Sequence, residues 1–154
     1  MATRQPEDAI HMLRAEHRKV QELLHQYDAV ADPSLKRQIA AHTFTALELH
    51  AELEAMVFYP AFERHATERG RQIVDESLQD HGVMALLIEE MRGLAVDDPA
   101  FHATFEALRD HVEGHIAQEE TFLLPEAEEV LLEQAEALWV AMREFKRQRQ
   151  LPDP

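Results

Sequence analysis

Residues 50–60 read HAELEAMVFYP and residues 115–125 read HIAQEETFLLP. Each stretch contains a His, a Glu four positions later and a Pro six positions after the Glu, with mostly aliphatic and aromatic residues before the Pro. The two stretches lie 65 residues apart, so the chain carries an internal repeat. A repeat of this kind predicts two helix pairs related by approximate twofold symmetry.

The spacing within each copy places a carboxylate beside an imidazole. Positions four apart face the same direction on an α-helix, so His50 is paired with Glu54 and His115 with Glu119. A single pair with this spacing is common on a solvated helix face. Two matching copies are not expected by chance, and each predicts half of a metal site.

Two further histidines, His17 and His81, each follow an acidic residue and lie 64 residues apart. They fall among the apolar positions of their helices, so the faces that form the core also point these imidazoles inward. Buried carboxylates are costly unless they are paired, and two cations would neutralise both Glu and use all four imidazoles. The sequence therefore predicts a two-metal site built from six residues: His17, His50, Glu54, His81, His115 and Glu119.

The remainder of the chain predicts an all-α fold. It contains only 4 Gly and 7 Pro, and the long segments between them are rich in strong helix formers. The predicted helices cover about residues 6–31, 34–65, 71–96, 99–124 and 126–148. Pro60 should kink the second helix and Pro125 should interrupt the fourth.

Short connections favour an up-down-up-down antiparallel four-helix bundle over about residues 5–125. The additional C-terminal helix should pack against the bundle or another subunit, and we expect 1–154 to form one domain.

Composition excludes several classes of function. The chain has no Cys, so any metal must be held by nitrogen and oxygen rather than by thiolate. With 15 Lys and Arg against 30 Asp and Glu, the formal net charge is -15, which disfavours nucleic acid and anionic membranes as partners. No stretch approaches the roughly 18 to 20 apolar residues of a membrane span, so we expect a cytoplasmic protein.

The repeated motif resembles that of the haemerythrin-like family, the HHE cation-binding domains, over about residues 5–125. The resemblance implies two iron ions joined by an oxo or hydroxo bridge, with zinc or manganese as less favoured alternatives. By the same resemblance the terminal ligands would be four histidines and the bridging ligands two glutamates: His17, His50, His81, His115, Glu54 and Glu119.

The sequence departs from the oxygen-carrying members of that family, which have two His four apart on the third helix. Here Ser77 and Ala85 occupy the positions four before and four after His81. In the carriers the second carboxylate lies five residues after its His, whereas here Glu119 lies four after and Glu120 takes the fifth position. One imidazole is therefore missing, and four groups could replace it: water, Glu76, Asp80 or His111.

The leading functional hypothesis is a non-haem di-iron protein that binds or reacts with O2, peroxide or NO at an open iron position. Such a protein would serve in sensing, detoxification or iron handling, and a signal would pass through a protein partner or homodimer. The side chains just past the ligands could wall a small apolar cavity for a diatomic ligand: Val57, Phe58, Phe122 and Leu123. Two alternatives are a peroxide-decomposing di-iron enzyme and a structural or interaction bundle clamped by a metal such as zinc.

Overall fold

The computed structural model describes residues 6–150, and within that range the chain is helical with no β-strand. The α-helices are α1 (Pro6–Ala29), α2 (Pro33–Leu53), α3 (Tyr59–Glu63), α4 (Glu68–Arg92), α5 (Pro99–Gln118), α6 (Leu124–Val130) and α7 (Ala135–Gln150). Two π-helical segments, π1 (Glu54–Phe58) and π2 (Glu119–Leu123), and a 3-10 turn (Leu132–Gln134) lie between them. Helix α1 packs along α2, and α4 packs along α5. The all-α prediction is confirmed.

Three of the helices begin at a side chain that caps their free backbone amides. Asp32, Thr67 and Asp98 have extended backbone conformations, and their side-chain oxygens accept hydrogen bonds from amides of α2, α4 and α5 respectively. Proline follows Asp32 and Asp98 at the start of the helix, where its missing N–H costs nothing. Helix α4 therefore begins at Glu68, three residues before the predicted start, and it ends at Arg92, four residues before the predicted end.

Of the predictions for Pro60 and Pro125, the one that Pro125 interrupts the fourth helix is wrong. Each proline follows a π turn, in which the amide of Tyr59 or Leu124 donates to a carbonyl five residues earlier. The wider turn makes room for the pyrrolidine ring, which in a regular α-helix would clash with the carbonyl four residues back. Pro125 therefore does not end the fourth helical rod, which continues as α6. The break comes later, so that the last helix begins at Ala135 rather than near Glu126.

The core consists of two apolar clusters at opposite ends of the bundle. One cluster includes Leu13, Leu53 and Leu123, and the other includes Val20 and Leu47. On α1 and α2 the interval between the two clusters holds a histidine, so a polar layer separates them. The three apolar residues that attach α7 to the first cluster are Leu138, Met142 and Phe145. This contact confirms that the apolar face of the last helix lies against the bundle.

No helix within residues 6–150 is both long enough and apolar enough to cross a membrane.

Candidate metal centre

The polar layer brings together all six side chains that the sequence predicts as metal ligands. Each of the four long helices supplies one imidazole, and each π segment begins with one of the two glutamates. Both carboxylates are completely buried, three of the imidazoles are buried, and the fourth, that of His81, is 10% exposed. The six residues are His17, His50, Glu54, His81, His115 and Glu119.

Three imidazoles converge on the Glu54 carboxylate through their Nε2 atoms. His81 Nε2 lies 3.0 Å from Glu54 Oε1, His115 Nε2 lies 3.5 Å from the same oxygen, and His50 Nε2 lies 3.3 Å from Oε2. The two carboxylate oxygens thus face imidazoles from both halves of the repeat. This arrangement suits a carboxylate that bridges two ions.

Glu119 has a corresponding set of contacts. Its Oε1 lies 3.0 Å from His17 Nε2 and 3.4 Å from His115 Nε2. The site contains two groups of residues, and within each group the ligand atoms lie within 4.8 Å of one another, so each group could hold one ion. The first group is His17, His50, Glu54 and Glu119, and the second is Glu54, His81 and His115. The cluster as a whole could therefore hold metal.

The outward-facing nitrogens of two imidazoles are fixed by further carboxylates. His50 Nδ1 lies 2.7 Å from Glu16 Oε1, and His17 Nδ1 lies 2.6 Å from Glu120 Oε2. An ionised carboxylate can only accept a hydrogen bond, so each Nδ1 donates. An imidazole that binds metal is neutral, so with Nδ1 as the donor it would bind through Nε2, the nitrogen that faces the carboxylates inside. Glu120 therefore orients a predicted ligand and is not itself among the inner six.

None of the three side chains considered as replacements for the missing imidazole lies among the inner donor atoms. Asp80 Oδ2 lies 3.6 Å from the outward Nδ1 of His115. Glu76 accepts a hydrogen bond of 2.6 Å from Gln118, and His111 is exposed on α5.

Tyr59 is the residue that sequence reasoning missed. Its hydroxyl donates to Glu119 Oε2 at 2.5 Å and to Glu54 Oε1 at 3.1 Å, and the residue is 1% exposed. Its ring stacks on that of His81 with centroids 5.7 Å apart and an interplanar angle of 18°. Burial and the two carboxylates raise the pKa of the phenol well above its usual value, so in the metal-free protein it is a donor. The only signal in the sequence is one hydroxyl within an otherwise apolar stretch before Pro60.

Ser77 lies four residues before His81 on α4, one of the two positions considered for the missing imidazole. It is completely buried, and its hydroxyl has no hydrogen-bond partner. The hydroxyl is nevertheless close enough to Tyr59 to act on the pKa of the phenol. A small residue at 77 thus leaves room for the tyrosine on the inner side of α4.

The two central carboxylates differ in their affinity for protons. Burial acts to raise the pKa of Glu54, but the neighbouring imidazoles, His50 foremost, outweigh it and lower that pKa well below its usual value. Burial and the Glu54 charge raise the pKa of Glu119. Burial also opposes charge on His50 and His115, yet the carboxylates raise the pKa of His50 well above its usual value and that of His115 to about 9. Without metal, protons hold this cluster of opposite charges together.

Several inner donor atoms face one another at ion-pair distances of 3.3–3.5 Å without forming a hydrogen bond. His50 Nε2, Glu54 Oε2 and His115 Nε2 are buried and make no hydrogen bond. A buried polar atom without a hydrogen bond costs about 1–3 kcal/mol, and a cation bound to these atoms would remove a cost that the ion pairs offset only in part. Imidazole nitrogen with carboxylate oxygen is a donor set suited to iron, manganese or zinc. The residues present fit a pair of such ions.

A small cavity adjoins the inner donors on one side. Its volume is about 20 Å³, and all four imidazoles line it together with apolar side chains from the second core cluster: Val20, Leu47, Met84, Val112 and Ile116. The predicted cavity wall was wrong. Phe58 and Leu123 are buried in the other cluster, Val57 packs against that cluster, and Phe122 is 53% exposed.

Comparison with known proteins connects this site to a family. Residues 8–127 match the model of the Hemerythrin HHE cation binding domain. The fold resembles the crystal structure of a hemerythrin HHE cation-binding-domain protein from Mycobacterium kansasii, with a TM-score of 0.71, 15% sequence identity, and coverage of 97% of this chain and 94% of that one.

Two curated relatives are longer than the region they share with this chain. A protein of Nostoc sp. described as a DNA nickase is 27% identical over 135 residues, which are 88% of this chain and 37% of the relative. An uncharacterised hemerythrin-like protein of Schizosaccharomyces pombe is 23% identical over 119 residues, which are 77% of this chain and 59% of that protein. The likeness therefore concerns this domain and leaves out much of each relative.

Proposed function

This chain belongs to the hemerythrin HHE cation-binding domain family, and we propose that it holds two iron ions and binds or reacts with a small oxygen or nitrogen-oxide ligand beside them. The observation that supports the proposal best is the set of unpartnered, inward-facing nitrogen and oxygen atoms in the layer between the two apolar clusters. Iron would supply the redox chemistry and the affinity for O2, peroxide or NO that the side chains lack.

The geometry divides the donors between two positions. His17 and His50 would hold one ion, and His81 and His115 the other. Glu54 and Glu119 would supply carboxylate oxygens between the two positions, since each faces imidazoles of both halves.

We further propose that Tyr59 supplies the donor missing from α4. Its oxygen is as close to the carboxylate oxygens as are the imidazole nitrogens, and its ring lies flat against that of His81. Loss of the phenolic proton to solvent on metal binding would provide an anionic oxygen donor. Such a donor stabilises a higher oxidation state, which favours reaction with peroxide over reversible carriage of O2.

The cavity limits the class of ligand. A volume of about 20 Å³ is close to the roughly 10–15 Å³ needed for one water molecule, so a diatomic ligand or peroxide fits only with small shifts of the walls. Larger organic substrates do not fit beside the donors. The apolar walls would limit the contact of a bound ligand with water.

The test is iron content and visible absorption of protein produced with added iron. His50→Ala and Glu119→Ala should sharply reduce bound iron, because each removes an inner donor. Two matched substitutions outside the layer should not: His42 is exposed on α2, and Glu106 pairs with Arg109 on α5. Equal iron content in all four variants would contradict the proposed site. Stoichiometric zinc with a featureless spectrum would favour the structural bundle.

Tyr59→Phe separates the proposed ligand from the rest of the site. Phenolate bound to ferric iron absorbs strongly in the visible, so this variant should retain iron while losing that band. An unchanged band would mean that the phenol serves only as a hydrogen-bond donor to the carboxylates.

A second candidate function is decomposition of peroxide, which the Tyr59 hydroxyl beside the cavity-lining imidazoles favours. Repeated oxygen release from added peroxide would identify an enzyme, and one stable spectral change would identify a binder.

The cytoplasmic location and the protein partner or homodimer that the sequence suggests remain predictions.

A further inference from the structure

One lysine connects the C-terminal helix to the metal layer. Lys146 on α7 forms an ion pair with Glu16 Oε2, and the other oxygen of Glu16 accepts the hydrogen bond from His50 Nδ1 at 2.7 Å. The three side chains become progressively less exposed, at 24%, 15% and 7%. They form a continuous path from a surface helix to a proposed ligand.

The path fixes the direction of the imidazole. Glu16 is held on one oxygen by an ammonium group and on the other by the ring N–H, so neither oxygen is free to turn away. The His50 ring is then held with Nε2 facing the Glu54 carboxylate, where it has no hydrogen-bond partner. A histidine oriented in this way loses little freedom when it binds metal.

The other half of the repeat lacks such a path. Asp80 occupies the position that matches Glu16, yet it lies 3.6 Å from His115 Nδ1 rather than within hydrogen-bond distance. Among residues 6–150, no Lys or Arg forms an ion pair with Asp80. Helix α7 packs on α1, α2 and π1, which belong to the half that carries His17 and His50.

We propose that Lys146 is a positioning residue that acts through Glu16 on His50, so that the ion held by His17 and His50 leaves more slowly than its neighbour. This inference rests on the proposed function, because it requires two bound ions. The second outward carboxylate, Glu120 at 2.6 Å from His17 Nδ1, acts in the same direction on the same ion.

Helix α7 has other anchors, so replacing Lys146 does not detach it. Arg149 pairs with Glu52 at 3.1 Å and lies over the Phe145 ring, 4.4 Å from its centroid. Arg149→Gln is therefore a matched control: it removes an ion pair from the same helix, one that ends at an exposed glutamate and not at a ligand.

The test is the release of iron from the full, iron-loaded chain to excess chelator, followed by absorbance. The parent protein should release one equivalent quickly and one slowly. Lys146→Met should accelerate only the slow equivalent, several-fold, and Lys146→Arg should restore it. Glu16→Ala should accelerate the same equivalent by about tenfold or more, the usual effect of removing such a partner. Arg149→Gln should match the parent.

Each other outcome overturns the proposal. Equal acceleration of both equivalents by Lys146→Met would mean general loosening of the bundle, and no acceleration would mean that the ion pair is only structural. Release of both equivalents from the parent in one phase would remove the proposed difference between the ions while leaving the proposed function intact. A parent that binds no iron would overturn both.

Discussion

The metal-free protein should lose stability as the pH rises from about 6.5 to 9. In the folded protein the carboxylates of Glu119 and Glu54 raise the pKa of His115 from 6.5 to about 9, against the opposing effect of burial. A group whose pKa is raised by folding stabilises the protein fully below its unfolded pKa. That contribution disappears as the pH rises through the folded pKa. The pKa of His50 is raised in the same direction.

The magnitude follows from the shift in the pKa of His115. A difference of about 2.5 units, at roughly 1.4 kcal/mol per unit, gives about 3 kcal/mol from this one histidine. That is a large part of the 5–15 kcal/mol that stabilises a typical domain. Bound metal requires deprotonated ligands, so the iron-loaded protein should not show this loss.

Urea denaturation of chelator-treated protein at a series of pH values would measure the effect. The free energy of unfolding should fall between pH 6.5 and 9 in the parent. It should fall less in His115→Gln, which retains only the contribution of His50, whatever the absolute stability of that variant. His42→Gln, on the exposed side of α2, should retain the parent's slope. A free energy that is flat or rises over this range would refute the reasoning.

Three other perturbations have expected outcomes that thermal or urea denaturation can check. Removing iron should lower the thermal midpoint, because a ligand that binds only the native state stabilises it; an unchanged midpoint would contradict this. Asp32→Ala should cost about 1 kcal/mol, because its carboxylate caps α2 through the Leu35 amide at 2.9 Å; no loss would mean that the cap is immaterial. Gly70→Ala should cost about 1 kcal/mol net, because a methyl group there overlaps the Glu126 carboxylate, which binds Thr67 through two hydrogen bonds. A more stable Gly70→Ala variant would show that helix propensity outweighs those bonds.

The helices could be predicted because apolar spacing and caps are local properties of the chain. Asp32 and Asp98, each followed by proline, mark the starts of α2 and α5 in sequence and in structure alike. The break between α6 and α7 could not be predicted, since Leu131 stands in a run of helix formers without Gly or Pro. At the break the side chain of Leu131 is completely buried in the first cluster, a contact that depends on the folded chain and not on the local sequence.

The inner six residues could be predicted to meet because helical periodicity fixes the direction of each side chain. The carboxylates that accept from the outward Nδ1 atoms could not be predicted, since these hydrogen bonds join residues far apart in sequence. Glu16 meets His50 across two helices, and Glu120 meets a histidine 103 positions away. Acidic residues of this kind are indistinguishable in sequence from those on a solvated face.

Tyr59 shows how a local departure from α-helical geometry alters the site. It lies five residues after Glu54, which in an α-helix is about 140° round the axis from the carboxylate. In π1 the Tyr59 amide bonds to the Glu54 carbonyl, so the turn takes an additional residue and the phenol returns to the face of Glu54. The corresponding residue after Glu119 is Leu124, which is buried in the core. The repeat therefore gives both halves a wide turn but only one a phenol.

If a π turn behaves as an α-helix with one inserted residue, deleting an exposed residue from it should be tolerated. Met56 is 61% exposed within π1. Its deletion should leave the side chains beyond it on the same faces of the helix as before. The cost should be about 3 kcal/mol, from a clash of the Pro60 ring with the carbonyl four residues back. Deleting Leu86, 73% exposed in regular α4, rotates Ile88 and Met91 out of the core at about 2–5 kcal/mol each. Urea denaturation should show the smaller loss for the Met56 deletion, and an equal or larger loss would mean that the π turn has a structural role of its own.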